Sequence, residues 1–199
     1  MPLEKELKYL DGDHDHLRGI LQKSPAEYVG KWFEENIVFD DADRSLKEHL
    51  LLLRLRRKAD KYVLTVKKPP KADDPDAQSC LKVYEEYEVS VSDFEQTQAI
   101  FQALGYCPAF RYEKVREKWR INSVDVCLDL LPFGMFVEIE GEEENVLRTA
   151  SLLGLKESST DNYHTLNRNW RESQKLVEDD NFVFDESLKQ QMLIELQKL

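Results

Sequence analysis

Like charges two residues apart recur in nearly every extended stretch of this chain, with apolar residues between them. The first stretch is LEKELKYL, in which Glu4, Glu6 and Lys8 alternate with Leu3, Lys5, Leu7 and Tyr9. Successive side chains of a strand point to opposite faces, so these three charges share one face. Arg54 and Arg56 repeat the pattern in LLLRLRR, Lys67 closes VLTVK, and Glu86 and Glu88 alternate in EEYEV. Further on, Lys114, Arg116, Lys118 and Arg120 alternate in EKVREKWRI, Asp125, Cys127 and Asp129 in DVCLD, and Glu138 and Glu140 in VEIE. One such pair is the ordinary wet side of an antiparallel sheet. Here the pairs recur strand by strand, and long aliphatic and aromatic stretches need burial on the other face. That combination points to a closed antiparallel barrel with a polar lumen.

Turn chemistry and periodicity place the elements. Strands are expected over Leu3–Tyr9, Tyr28–Phe39, His49–Arg57, Lys61–Lys67, Val83–Val91, Phe110–Asn122, Val124–Leu131 and Met135–Glu140. Asp40–Ser45 reads as a turn, and Pro69, Pro70 and Pro75 mark Lys68–Ser79 as a loop. Helices are expected over His14–Lys23, over Ser92–Leu104 before Gly105, over Glu142–Leu153 before Gly154, and from Thr160 onward in two stretches, DNYHTLNRNWRESQKL and then ESLKQQMLIELQKL. The fold class expected is α+β: an eight-stranded antiparallel barrel with flanking helices. Residues 1–172 would form the barrel domain and residues 173–199 a helical extension.

Bulk properties narrow the partners. Lys plus Arg number 28 against 39 Asp plus Glu, a net charge of −11, so the chain is a poor general nucleic-acid binder. Net charge does not exclude a local cationic pocket. Cys80, Cys107 and Cys127 lack CxxC spacing and read as reduced thiols of a cytoplasmic protein. No apolar run approaches the ~20 residues of a membrane span, and the N-terminus lacks a signal-peptide pattern.

Inside a barrel, Arg and Lys from several strands suit a polyanion such as a chain of phosphates. Carboxylates facing the same space repel that guest unless a divalent cation lies between, and hard oxygen ligands select Mg²⁺ or Mn²⁺. The constellation therefore predicts a metal-bridged polyphosphate.

The motifs also resemble a known family, the CYTH domain or triphosphate tunnel metalloenzymes. Glu4-x-Glu6-x-Lys8 resembles its N-terminal ExExK. NIVFDDADRSLKEHLLLLRLR resembles its RxR strand (Arg54, Arg56), and LTVKKP its lysine strand (Lys67). YEEYEV resembles its central ExE strand (Glu86, Glu88), and EKVREKW its KxR strand (Lys114, Arg116). VCLDLLPFGMFVEIEG resembles its closing hairpin (Asp129, Glu138, Glu140). The resemblance spans about residues 1–170. It implies a triphosphate held in an eight-stranded tunnel with one or two divalent cations, and either hydrolysis of a triphosphate or conversion of ATP to cyclic AMP by a class IV adenylyl cyclase. By the same resemblance, Glu4, Glu6, Glu138 and Glu140 would bind metal, with Asp129 a ligand or the partner of one. Glu86 or Glu88 would orient a second ion or its water. Lys8, Arg54, Arg56, Lys67, Lys114 and Arg116 would hold phosphate oxygens, and Glu4, Glu6, Lys8, Arg56, Lys67 and Arg116 would carry the chemistry. The partner expected is a small-molecule triphosphate: inorganic triphosphate, thiamine triphosphate or ATP. The leading expectation is hydrolysis of the terminal phosphoanhydride, ahead of cyclisation and of a polyphosphate-binding module without catalysis.

Other signals carry less. Asp11–His16 (DGDHDH) fails as a calcium loop because His16 stands where Gly is needed and Gln22 where Glu is needed, so it reads as a solvated helix start. His49 and His164 look isolated. Cys127 reads as a packing residue, and Tyr163 resembles a tyrosine that follows the family's last strand. Phe182, Phe184, Met192, Leu193 and Leu196 would pack on the barrel or form a homodimer contact, packing on the same chain being the expectation.

Overall fold

A computed structural model describes residues 3–10, 12–71 and 73–198. The strands are β1 (Leu3–Leu10), β2 (Glu27–Asp40), β3 (Leu52–Lys58), β4 (Lys61–Lys68), β5 (Lys82–Val91), β6 (Cys107–Ile121), β7 (Val124–Leu131), β8 (Gly134–Glu140) and the two-residue β9 (Ser158–Ser159). The helices are α1 (His14–Lys23), α2 (Ser45–Glu48), α3 (Phe94–Ala103), α4 (Glu143–Leu152), α5 (Tyr163–Ser173) and α6 (Glu186–Leu196). The antiparallel order is β5-β4-β3-β2-β6-β7-β8-β1, and β1 pairs with β5 to close the ring. β9 adds to β1 beyond the end of that closing ladder.

Two faces of the wall divide the residues by kind. Leu7, Trp119, Ile121, Val126, Leu128, Val137 and Ile139 point outward into the largest apolar cluster, where Leu17 and Leu21 of α1 and Val146 and Ala150 of α4 cover them. A second outer cluster sets Phe94 and Phe101 of α3 against Ile37, Phe39 and Leu55. The hydrophobic core thus lies between barrel and helices, and the charged positions are left inside. Leu128 is 1% exposed, and Leu128→Ala is expected to cost about 2–5 kcal/mol in a denaturant titration.

Two local departures from the sequence expectation have physical reasons. A turn followed by a strand from His49 was expected, yet α2 forms there and β3 begins only at Leu52. Asp40 accepts from the backbone N–H groups of Leu46 and Lys47, and Asp41 from that of Ser45, so side chains satisfy this backbone locally. β6 starts at Cys107 rather than Phe110 because β2 extends to Asp40 and pairs with it throughout. After Thr160 the two expected helical stretches form as α5 and α6, with an extended link between them. In that link Phe182 bridges Tyr112 in parallel, its N–H donating to Arg111 O (3.0 Å) and its O accepting from Glu113 N–H (3.1 Å). The tail is therefore bonded to β6, and Phe182 and Phe184 are buried on the chain itself. Among the described residues no helix is long and apolar enough to cross a membrane.

At the start of α1, Asp13 caps the helix by accepting from the N–H groups of Asp15 and His16, while Asp11 lies outside the described residues. His14 is buried rather than solvated, its Nε2 lying 3.0 Å from Phe136 O.

Candidate active site: a charged lumen

Strand register places acid opposite base around the inner wall. Lys8 faces Glu138, Glu6 faces Lys82, Lys67 faces Glu86, Arg116 faces Asp129, and Glu34 faces both Lys58 and Lys114. Directly opposed residues share a face, so these contacts hold the wall together. Glu140 breaks the pattern. Its neighbours across both ladders are acids, Glu6 on β1 and Asp125 on β7.

All the sequence-derived site residues except Asp129 line one cavity of about 520 Å³. They divide into two groups. Glu4, Glu6 and Glu140 bring carboxylate oxygens within 4.8 Å of one another. Glu138 and Asp129 lie outside that trio, against Arg116, Lys114 and Lys8. Asp129, fully buried, accepts from Arg116 Nε (2.7 Å) and Nη2 (2.6 Å), Lys114 Nζ (2.8 Å) and Tyr163 Oη (2.8 Å). Glu138 accepts from Arg116 and lies 2.9 Å from Lys8 Nζ. Asp129 sits behind the cationic wall and orients it, whereas the glutamate trio lines the cavity, with Glu4 paired to Lys67 and Glu6 to Lys8.

The electrostatics separate the same groups. Burial pushes the Glu140 carboxyl above its usual range, against the pull of Arg116, whose Nη1 is 3.4 Å away, and with Glu138, Glu4 and Glu6 adding to the rise. Burial raises Glu4 likewise, although Lys67 donates to it, with Glu6 and Glu86 reinforcing the rise. Burial works the same way on Glu6, but Lys8 at 2.6 Å overcomes it and holds that carboxyl at about 2. Burial disfavours the Lys8 ammonium, yet Glu138 and Glu6 hold it above the ordinary lysine value. The trio supplies only oxygen donors, and two of its members favour protonation because burial, reinforced by the neighbouring acids, disfavours their charge. Both properties fit a hard divalent cation.

The cations continue along the wall. Arg54 donates to Tyr112 Oη (3.2 Å) and Thr65 Oγ1 (3.1 Å) and lies 3.6 Å from each of Glu86 and Glu88. Arg56 donates to Asn36 Oδ1 at 2.8 Å, and Lys67 is 3.4 Å from Glu86. Glu86 and Glu88 thus sit with Arg54 and Lys67, and Lys67, which also donates to Glu4, links Glu86 to the glutamate trio. Sequence reading missed Glu34, which is wholly buried and accepts from Trp32 Nε1 at 2.7 Å. It also missed Lys58, Lys82, Tyr84 and Tyr112 as lining residues. The alternation of Trp32, Glu34 and Asn36, and of Lys82 and Tyr84 ahead of Glu86, carried that signal. Burial raises the Tyr112 hydroxyl, but Arg54, Arg56 and Lys114 outweigh it and bring the group down to about 8. Cys127 is buried, and its thiol is pushed well up by burial, consistent with a packing role.

A closed antiparallel barrel with a lumen in which cations meet a carboxylate trio defines a class of charged tunnel. The chain belongs to the CYTH domain family, whose model matches residues 2–158. It is 30% identical over 139 residues to a candidate adenylate cyclase of Methanocaldococcus jannaschii, covering 69% of this chain and 76% of that protein. Solved structures share the fold. A candidate adenylate cyclase of Vibrio parahaemolyticus superposes with a TM-score of 0.71 at 19% identity, over 83% of this chain and 97% of that one. A conserved hypothetical protein of Pyrococcus furiosus gives 0.66 at 25% identity, over 80% and 97%. A candidate adenylyl cyclase of Hippeastrum, described as having a dominant triphosphatase activity, gives 0.56 at 18% identity, over 90% and 99%.

Proposed function

We propose that the chain is a divalent-metal-dependent enzyme that hydrolyses the terminal phosphoanhydride of a triphosphate held in the lumen. The observation that carries this reading is the glutamate trio at the edge of a cationic wall: a site for a bare polyanion needs the cations but not the crowded carboxylates. Mg²⁺ or Mn²⁺ held by Glu4, Glu6 and Glu140 would neutralise phosphate charge and lower the pKa of a bound water.

The chain's own residues supply the rest. Lys8, Arg54, Arg56, Lys67, Lys114 and Arg116 bind and orient the phosphate oxygens. Asp129 and Glu138 hold Lys114, Arg116 and Lys8 in place. Phosphoryl transfer depends mainly on such positioning and charge neutralisation. Arg56→Ala is expected to weaken triphosphate binding by about 1.5–3 kcal/mol, read by calorimetry. Unchanged affinity would remove Arg56 from the phosphate site.

A second reading, cyclisation of ATP with release of pyrophosphate, is supported by the description of the Methanocaldococcus relative. In it the ribose 3′-oxygen attacks the α-phosphorus, and the same cations hold the leaving pyrophosphate. Incubation with Mg²⁺ or Mn²⁺ and inorganic triphosphate, thiamine triphosphate or ATP separates the two. Orthophosphate release is expected for hydrolysis, and cyclic AMP with pyrophosphate for cyclisation. No turnover of any of these substrates would defeat both.

A further inference from the structure

Tyr112 and Tyr163 both line the lumen beside the cationic wall, and their hydroxyls are held differently. Tyr163 Oη donates to Asp129 at 2.8 Å, so its hydrogen is committed to a buried carboxylate. Tyr112 Oη accepts from Arg54 Nη1 at 3.2 Å, and among the described residues no acceptor takes its own hydrogen. A phenol is donor and acceptor at once, so this hydroxyl still offers its hydrogen to a guest of the lumen.

The ring is fixed in place. Tyr112 stacks on Phe182 with centroids 5.1 Å apart and on Phe110 at 6.2 Å, at the mouth of the tunnel that Phe110 marks. Phe182 lies beyond the residues matched by the family model, so the tail supplies one side of this support.

The charges around the hydroxyl favour giving up its hydrogen. Arg54 and Arg56 of β3 and Lys114 of β6 outweigh the burial that resists ionisation. The acids on neighbouring strands are paired with the same arginines. Glu86 and Glu88 of β5 lie 3.6 Å from Arg54, and Glu34 of β2 lies 3.4 Å from Arg56. On the tail side, His164 packs on Phe110 and its Nε2 is 2.7 Å from Asp180 Oδ1. Because Arg54 bonds directly to the phenol, a phosphate held by Arg54 comes within reach of the Tyr112 hydroxyl.

Resting on the triphosphate reading above, we propose that Tyr112 is a further catalytic residue, the general acid that protonates the leaving phosphate. As the water oxygen bonds to the terminal phosphorus, the bridging P–O bond breaks and its electron pair stays on the departing oxygen. The Tyr112 hydrogen passes to that oxygen, and Arg54, Arg56 and Lys114 stabilise the phenolate left behind. The proton released by the attacking water restores the phenol through solvent, so the cycle consumes only water. A general acid works best when its pKa lies near the operating pH, and this hydroxyl, brought down to about 8, approaches that condition.

The test measures kcat/KM for inorganic triphosphate with Mg²⁺ across the pH range. It compares the wild type, Tyr112→Phe, and the full chain carrying fluorotyrosine, a more acidic phenol, at position 112. The wild type is expected to lose activity as pH climbs through about 8, because a phenolate has no hydrogen to give. Tyr112→Phe, which keeps the ring for stacking, is expected to fall about 10²-fold at neutral pH and to lack that alkaline limb. Fluorotyrosine is expected to move the limb to lower pH. Circular dichroism identifies a folding failure of Tyr112→Phe, and the fluorotyrosine protein, one atom different from the wild type, then decides. A Tyr112→Phe rate equal to the wild type's, or an alkaline limb unchanged in both altered proteins, overturns the general acid while leaving the triphosphate reading intact. A wild type that turns over no triphosphate defeats that reading, and the role of Tyr112 with it.

Discussion

Glu140→Gln is expected to leave the barrel folded and to lower metal-dependent turnover on the order of 10³-fold, a loss typical of removing a preorganised charge from a reacting site. Glu4→Gln should behave alike. The same substitutions should not harm the metal-free fold. Both carboxyls are raised by burial, and nearby acids add to the rise. A raised carboxyl binds its proton more tightly in the folded than in the unfolded chain. The stability it contributes is therefore present at low pH and lost as pH climbs through the raised value. At neutral pH the ionised form costs stability, and neutral glutamine removes that cost. Thermal denaturation without divalent cation should show the variants at least as stable as the wild type, while added Mg²⁺ or Mn²⁺ should stabilise only the wild type strongly. By the same linkage, cation affinity should climb with pH as Glu4 and Glu140 lose their protons, above the ordinary glutamate value. Near-normal turnover in either variant would remove the trio from the metal site.

Asp129→Ala should do the opposite: it should damage the fold directly. Three donors, Lys114, Arg116 and the Tyr163 hydroxyl, converge on this fully buried carboxylate. Removing it leaves two buried cations without their shared counter-charge, a change that costs about 3–5 kcal/mol. For a chain of this length that corresponds to a drop of about 10 °C in Tm. Asp129→Asn, which keeps one acceptor oxygen, should fall between. A loss below about 1 kcal/mol for the alanine variant would mean that Glu138 alone suffices to hold Lys114 and Arg116.

The contrast between Glu140 and Asp129 also shows what was legible in the sequence. Alternation put both carboxylates on the inner face, and nothing in a strand's own period distinguishes them. Their roles diverge through cross-strand register. Asp129 lies opposite Arg116, whereas Glu140 lies between Glu6 and Asp125. Register depends on turn lengths around the whole ring, so it could not be read from any one motif. The closed barrel itself was legible because six stretches repeat one pattern of charges on alternate residues. The inner residues missed, Glu34 and Lys82 among them, stand singly beside aromatic or aliphatic residues and so lacked the paired signature. The tail's part in the Phe110 mouth was hidden for a different reason. Phe182 reaches Tyr112 across 70 residues of chain, by a single parallel bridge that no local periodicity announces.

A crystal grown with Mn²⁺ and inorganic triphosphate, with data collected at the manganese absorption edge, would locate the cation and its guest together. The arrangement described here places an anomalous peak among Glu4, Glu6 and Glu140, with the phosphates on Lys8, Arg56, Lys67 and Arg116. A manganese-free lumen at saturating Mn²⁺, with triphosphate bound elsewhere or not at all, would contradict it.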